Sequence, residues 1–436
     1  MTRRFVVALA RYEVLMQQIM RWHTRLHLVI AVTLTVLLIV LQSRLYWPSA
    51  ELAGPGRISP DLPAQLRFLR GALERGTGEE MQTLFPEGYF FSHVLYGLAW
   101  TDIGVAVEPN SPLRRQALAE ATWAAGQLDT SAGRAPFSPT LDPPFGVFFV
   151  GWSAFLRGGL VALAPPDDRS PADLARLTAD CEALADAFAR SPTPFLSAYP
   201  GQAWPVDSVV GMAALARCET LLNLGNEQVI ADWVADARER LDPATGLLPH
   251  RVDPRDGRAL EGARGSSQSI IVRFLPVIEP AWGLEQYQRF RAQFVTTVAG
   301  VPGVREYPHG QPGMGDVDSG PLLAGVSLSA STVTLGAARM WNDRELAESL
   351  RYTGEWLGLG FTWDGERRYA FGVLPVGDAF LAWAQAAPLL EAAPPPAAFP
   401  PVVASWWRLP AHGAGLTLLL LIWFPALRRR RRTARS

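Results

Sequence analysis

Apolar residues along most of this chain fall into two alternating patterns. Some stretches carry them at helical spacing on one face only, as in ADLARLTADCEALADAFA (172–189) and EQVIADWVADARERL (227–241). A stripe of that kind predicts a helix with one side in water. Other stretches are apolar nearly all round and begin near Phe90, Phe145, Pro205, Ser266, Asp318 and Pro375, which predicts buried helices. A striped stretch comes first each time, and a Gly/Pro-rich loop joins it to its apolar partner. Striped helices open at Ser59-Pro60, Ser111-Pro112 and Ser170-Pro171, with Ser as N-cap and Pro as first helical residue, then at Asn226, Gly283 and Asn342. The starts recur with a period of roughly 56 residues, so the expected fold is all-α, six outer–inner hairpins closing a double ring.

Both ends of the chain break the pattern. Leu26 to Leu41 (LHLVIAVTLTVLLIVL) is uncharged, and with Gln42 to Trp47 it is long enough to span a bilayer. Arg3, Arg4, Arg11, Arg21 and Arg25 precede it and only Arg44 follows closely, which places the N-terminus in the cytoplasm. Leu409 to Leu427 is the second expected span, with Trp406 and Trp407 at its interface and an arginine run, 428–432, behind it. The expected organisation is a cytoplasmic segment 1–25, amphipathic on the membrane surface or extending the span, and a transmembrane helix 26–47. An extracytoplasmic domain 48–390, a stiff Pro/Ala linker 391–408, a transmembrane helix 409–427 and a cytoplasmic tail 428–436 follow. The expected location is the cytoplasmic (inner) membrane of a bacterium, with the domain facing the periplasm or the exterior.

Composition narrows the chemistry. With 436 residues and 49% hydrophobic content the chain can bury a large core. A net charge of -1 and a pI near 6.6 argue against a nucleic-acid partner. Lysine is absent and all 40 basic residues are arginine, which excludes a Schiff-base lysine, pyridoxal chemistry and a Walker loop. No cofactor is expected, and no GxSxG elbow occurs. Cys181 and Cys218 are too few for a zinc site. They fall on an outer helix and the next inner one, where they either pair in an oxidising compartment or remain buried thiols, the commoner state.

The hairpin pattern resembles the six-hairpin (α/α)6 toroid shared by many glycoside hydrolases, polysaccharide lyases and some terpene-processing enzymes. LDPATGLLPH (241–250) and YPGQAWPVDS (199–208) are similar to loops of six-hairpin glycosidases. The resemblance covers about residues 59–390 and rests on architecture and loop texture. It implies a site where the long loops enter the inner helices.

At that level the loops offer FPEGYFFSH with Glu87, Tyr89 and His93, YPGQAWPVDS with Tyr199, Trp204 and Asp207, and a fourth loop with His250, Arg251, Arg264 and Gln268. The Gly/Pro-rich loop from Tyr307 onward, following Arg305 and Glu306, offers Tyr307, His309, Asp316 and Asp318; the last loop offers Tyr369 and Asp378. Asp207 and Asp318 fall at matching points of their repeats and lead as an acid/base pair, with Asp316 and His93 as further catalytic candidates. Glu87, Tyr89, Trp204, Gln268, Tyr307, His309 and Asp378 are expected to bind substrate. An Asp at a helix start also caps that helix, and a buried His is usually a satisfied core residue. Asp316 and Asp318 with Glu306 and His309 come nearest to a hard-cation set, without diagnostic spacing, and no metal is expected.

Three functions follow: a glycan hydrolase or lyase working through Asp207 and Asp318; an enzyme acting on a lipid or isoprenoid alcohol, resembling linalool dehydratase/isomerase in fold and using Tyr89, His93 and Tyr307; or a non-catalytic glycan- or protein-binding toroid. The partners expected are the membrane and a glycan or lipid-like substrate. The oligomeric state is left open.

Overall fold

A computed structural model describes residues 3–46, 58–395 and 398–433. Trp47 and residues 48–57, 396–397 and 434–436, which fall in the expected first span, domain, linker and tail, lie outside the described residues. The chain forms two compact units: unit 1 holds 1–47, 299–301 and 405–436, and unit 2 holds 48–298 and 302–404.

Unit 1 is built on α1 (Arg3–Ser43) and α16 (Leu409–Thr433), named for its place in the chain order. The N-terminal segment continues the first apolar stretch as one unbroken helix. Thr35 accepts a bond from the Trp423 indole at 2.9 Å, and Gln42 donates to the Ala411 carbonyl at 3.0 Å. Numbers rise on one helix as they fall on the other, so α1 and α16 run antiparallel. Tyr46 and Gln42 both bond His412, at 2.7 and 3.0 Å. The segment Trp22–Tyr46 is long and apolar enough to cross a membrane, and Leu409–Phe424 is a shorter apolar helix. Gly146–Leu163 meets the same length and hydropathy test but is 94% buried in unit 2, where it serves as a core helix.

Unit 2 is mostly helical. Its striped helices are α2 (Asp61–Glu74), α5 (Pro112–Leu128), α8 (Pro171–Arg190), α10 (Glu227–Arg238), α12 (Pro280–Phe294) and α14 (Arg344–Leu357). Its apolar helices are α4 (Gly88–Ala106), α7 (Gly146–Leu163), α9 (Pro205–Leu222), α11 (Gly265–Ile278), α13 (Leu328–Met340) and α15 (Pro375–Ala386). Two short helices, α3 (Thr77–Leu84) and α6 (Ser131–Arg134), and three small sheets fill the loops: β1–β2 (Arg251–Val252, Ala259–Glu261), β3–β4–β5 (Val295–Val298, Val301–Arg305, Val326–Ser327) and β6–β7 (Phe361–Trp363, Glu366–Arg368).

The apolar helices pack on one another in sequence: α4 on α7, α7 on α9, α9 on α11, α11 on α13, α13 on α15, and α15 again on α4. Phe91, Trp152, Phe274 and Trp383, from four of them, meet edge to face and tilted, with ring centroids 5.1–6.0 Å apart. The tightest pair is α7 with α9. A Cβ on Gly151 would stand 2.8 Å from the Gly211 Cα, so only two glycines let these backbones approach so closely.

Several local expectations are met. Ser111 and Ser170 cap α5 and α8 by accepting from Arg114 N and Asp173 N, with Pro at the first turn. Others are displaced. Helix α12 begins at Pro280 rather than Gly283, because the Glu279 carboxylate caps it through Ala281 N and Trp282 N. Helix α13 begins ten residues after Asp318: the glycine-rich loop continues until Val326–Ser327 has paired with Val304–Arg305. Cys181 and Cys218 are joined as a disulfide rather than free thiols. The Pro/Ala segment expected as a linker packs on unit 2: Phe399 is buried against Tyr287, and Val403 N donates to Glu345 at 2.9 Å.

Candidate functional site

Loops at the N-terminal ends of the apolar helices bring three carboxyl groups together from three hairpins. Trp204 is extended and Pro205 takes the first position of α9, where its missing N–H leaves no bond unmade. Asp207 follows within the first turn, its amide bonded to the Trp204 carbonyl at 3.0 Å. The residue is 6% exposed, yet its carboxylate receives no hydrogen bond among the described residues. Glu87 stands just before α4 and accepts a short hydrogen bond from the Tyr199 hydroxyl. Tyr199 is fixed by a tight turn with Gln202, by a stack on Phe137 at 6.1 Å and by the edge of Trp204 at 5.9 Å.

Asp318 enters from the long loop before α13. Asp316 shapes that loop: one of its oxygens accepts from the amides of Asp318 and Ser319, both at 3.1 Å, and the other bonds Arg264 at 2.6 Å. The Asp318 carboxylate, like that of Asp207, has no hydrogen bond among the described residues. Arg264, at the start of α11, also donates to Glu306 at 2.7 Å, and Glu306 accepts from the Ser266 amide and hydroxyl at 3.1 and 2.7 Å. His250 lies against this group, bonded to Ser267 at 2.6 Å.

The charge states follow from these surroundings. Burial raises the Asp207 carboxyl well above the usual carboxylate range, and the neighbouring Asp318 and Glu87 add to the shift. Asp318 is pushed up to about 6 by the protein mass around it and by Asp316, with Arg264 pulling the other way. It sits on an exposed stretch of its loop, so water still reaches it. Burial and then Glu87 hold the Tyr199 phenol protonated. Burial acts upward on Asp316 as well, but Arg264 outweighs it and the group lies below its ordinary value. Burial, helped by Arg264, pushes His250 down to about 3, so the ring is neutral. One acid that keeps its proton beside another that ionises near neutrality, in reach of water, is what a proton-transfer site requires.

The remaining expected residues are spent elsewhere. His93 bonds the Tyr89 carbonyl at 2.8 Å and packs between the Tyr89 and Trp123 rings, and burial lowers it to about 4. The Tyr89 hydroxyl donates to Gln127 at 3.0 Å, so this pair faces α3 and α5. Gln268 is buried and donates to the Leu248 carbonyl at 2.7 Å. Tyr307 donates to the Met314 carbonyl at 3.0 Å and steadies the loop. His309 is exposed and bonds the Val295 carbonyl at 3.0 Å, and Glu306 is engaged by Arg264, so the four candidate cation ligands are not assembled. Asp378 accepts from the Tyr369 amide and Gln65 at 3.1 and 3.3 Å.

The sequence places Tyr199, His250 and Arg264 in these loops without giving them a role, offers Glu306 only as a cation ligand and Ser266 only as a helix start, and does not single out Phe137 or Gln65. The signal for Arg264 is its place as a cation directly before a buried helix, at a level otherwise rich in carboxylates. Comparison with family models and with curated proteins gives no match.

Proposed function

We propose that unit 2 is an (α/α)6 toroid that processes a cell-envelope glycan as a hydrolase or lyase, with Asp207 as acid and Asp318 as base or nucleophile. The observation that carries this reading is the Asp207 carboxyl: buried, without a hydrogen bond, and set beside two carboxyls from other hairpins. A group held that way keeps a proton ready for a leaving oxygen. Asp318, open to water and lower in pKa, suits the partner role. Asp316 and Arg264 position its loop, while Glu87, Tyr199 and Trp204 provide the polar and aromatic contacts a sugar ring needs.

The closed sequence of contacts among six apolar helices supports the toroid. For the chain as a whole, the reading is a membrane-anchored protein with both termini cytoplasmic and unit 2 outside. The long apolar helix Trp22–Tyr46, its antiparallel packing with α16 and the arginines at both outer flanks support this topology. A disulfide between Cys181 and Cys218 suits an oxidising, extracytoplasmic side. The isoprenoid-alcohol reading loses support because Tyr89 and His93 are spent in the core and Tyr307 is bonded to the Met314 carbonyl. A purely structural reading fits Asp378, which caps a backbone amide, but not Asp207 or Asp318.

The test is turnover. The full chain in detergent is incubated with a panel of envelope polysaccharides, and reducing ends and unsaturated products are followed. Asp207→Asn and Asp318→Asn should each lower turnover by about 10²–10⁴-fold with the fold intact. Activity that survives both substitutions, or a panel that yields no product, defeats the proposal.

A further inference from the structure

A second charged cluster lies toward the opposite ends of the same helices. Asp102 on α4, Arg217 on α9, Arg273 on α11 and Arg339 on α13 each occupy the C-terminal half of their helix. Arg273 donates through Nη2 to Asp102 and to the Trp383 carbonyl, both at 2.9 Å, and its guanidinium lies 3.4 Å over the Trp383 ring. Arg217 donates to the Phe155 carbonyl at 2.9 Å and stacks 3.4 Å over that ring. Arg339 donates to the Ala387 carbonyl at 3.4 Å.

Arg217 and Arg273 therefore share one acid. Asp102 feels Arg273, Arg217 and Arg339, and it is the one acid beside Arg217 and Arg273 among the described residues. Burial pushes Arg217 and Arg273 down to about 10, against the pull of Asp102, and pushes Asp102 up to about 6, against the pull of the arginines. Arg273 is 4% exposed, and its Nη1 is buried without a hydrogen-bond partner. Arg217 and Arg339 are half-buried and the Asp102 side chain is 17% exposed, so the cluster is reached from solvent. Capping of carbonyls at the end of α15 explains the bonds of Arg273 and Arg339 to Trp383 and Ala387. It leaves the charge excess and the unpartnered Nη1 without a reason, because desolvated guanidinium groups are retained where counter-charge meets them.

We propose that this cluster binds a small oxyanion of the phosphate class, either free in solution or as the headgroup of an anionic lipid. Arginine presents paired N–H donors in a plane that matches such an anion, and three of them from three helices would clamp it. Binding would draw the ends of α9, α11 and α13 together through one ligand. The site is separate from the carboxylates and does not depend on the reaction assigned to them.

The test uses the full chain in detergent and in nanodiscs. Inorganic phosphate should raise the unfolding temperature saturably, beyond sodium chloride at equal ionic strength, or native mass spectrometry should find phosphatidylglycerol retained over phosphatidylcholine. A response to phosphate marks a free anion as the ligand; retention of phosphatidylglycerol alone marks a lipid headgroup. Arg217→Gln should weaken binding about tenfold, the worth of one charge-assisted hydrogen bond. Arg339→Gln serves if that variant does not fold. Asp102→Asn provides the sharper contrast. If the cluster is only a structural ion pair, this change merely destabilises; if it is an anion site, removing the competing carboxylate tightens phosphate or lipid binding by about fivefold or more. The proposal is overturned if neither ligand has a saturable effect, or if Arg217→Gln and Asp102→Asn respond as the wild type does.

Discussion

Replacing Asp378 by Asn should stabilise this protein, and only above the acid range. Asp378 is 3% exposed on the first turns of α15. One of its oxygens accepts both the Tyr369 amide and the Gln65 side chain. Burial pushes the carboxyl up to about 7, against the opposing pull of those two donors and of Arg368 and Arg367. The folded state therefore holds a proton that the unfolded chain releases near its ordinary value of 3.8. Stability is lost as pH rises between these two values, since the native state binds more protons there. A displacement of about three units at 1.36 kcal/mol each amounts to about 4 kcal/mol at pH 8. Asparagine keeps the acceptor oxygen and has no charge to bury. Wild type and Asp378→Asn should match at pH 4 and diverge from pH 5 upward, with the variant ahead by up to about 4 kcal/mol at pH 8. Chemical unfolding of the full chain in detergent, followed by circular dichroism at several pH values, measures the gap. A gap that does not change with pH, or a variant that is weaker at pH 8, refutes the reasoning.

Three further outcomes are expected. Turnover should rise through about pH 6 as Asp318 ionises and fall at higher pH as Asp207 loses its proton, and Asp318→Asn should abolish the acid limb of that profile. Reducing the Cys181–Cys218 bond, or replacing both residues by Ala, reopens a loop with a sequence separation of 37 and should cost roughly 4 kcal/mol, read as a lower unfolding midpoint. Gly88→Ala would place a Cβ 2.2 Å from the Met81 carbonyl group, where backbone cannot yield, so α3 and α4 must part. That change should lower stability by about 1–3 kcal/mol and weaken turnover through the adjacent Glu87, as thermal unfolding and kinetics would report.

Much of the helical architecture is legible in the chain itself. Helical stripes, Ser-Pro starts and fully apolar stretches depend on neighbours within a turn or two, so α5, α8, α9 and α15 begin within a residue or two of their expected places. The apolar N-terminal stretch is equally plain, since membrane-crossing length is a property of the run itself. Where contacts distant in sequence intervene, local reading slips. The Glu279 cap moves the start of α12, and the pairing of Val304–Arg305 with Val326–Ser327 delays α13 well past Asp318. The disulfide likewise depends on α8 and α9 lying side by side.

The candidate site divides in the same way. Asp207 and Asp378 look alike in the chain, each soon after a Pro-Val that opens an apolar helix. Nothing local separates them. In the folded chain, Asp378 meets the Tyr369 amide and Gln65, the latter more than three hundred residues away, and becomes a bonded structural group. Asp207 meets Glu87 and Asp318 from two other hairpins and has no donor among the described residues. Periodicity and capping therefore specify helices and their order, because those signals act over a few residues. Whether a carboxylate is satisfied or held ready depends on which distant side chains the packing of the hairpins brings to it, and only the tertiary structure decides that.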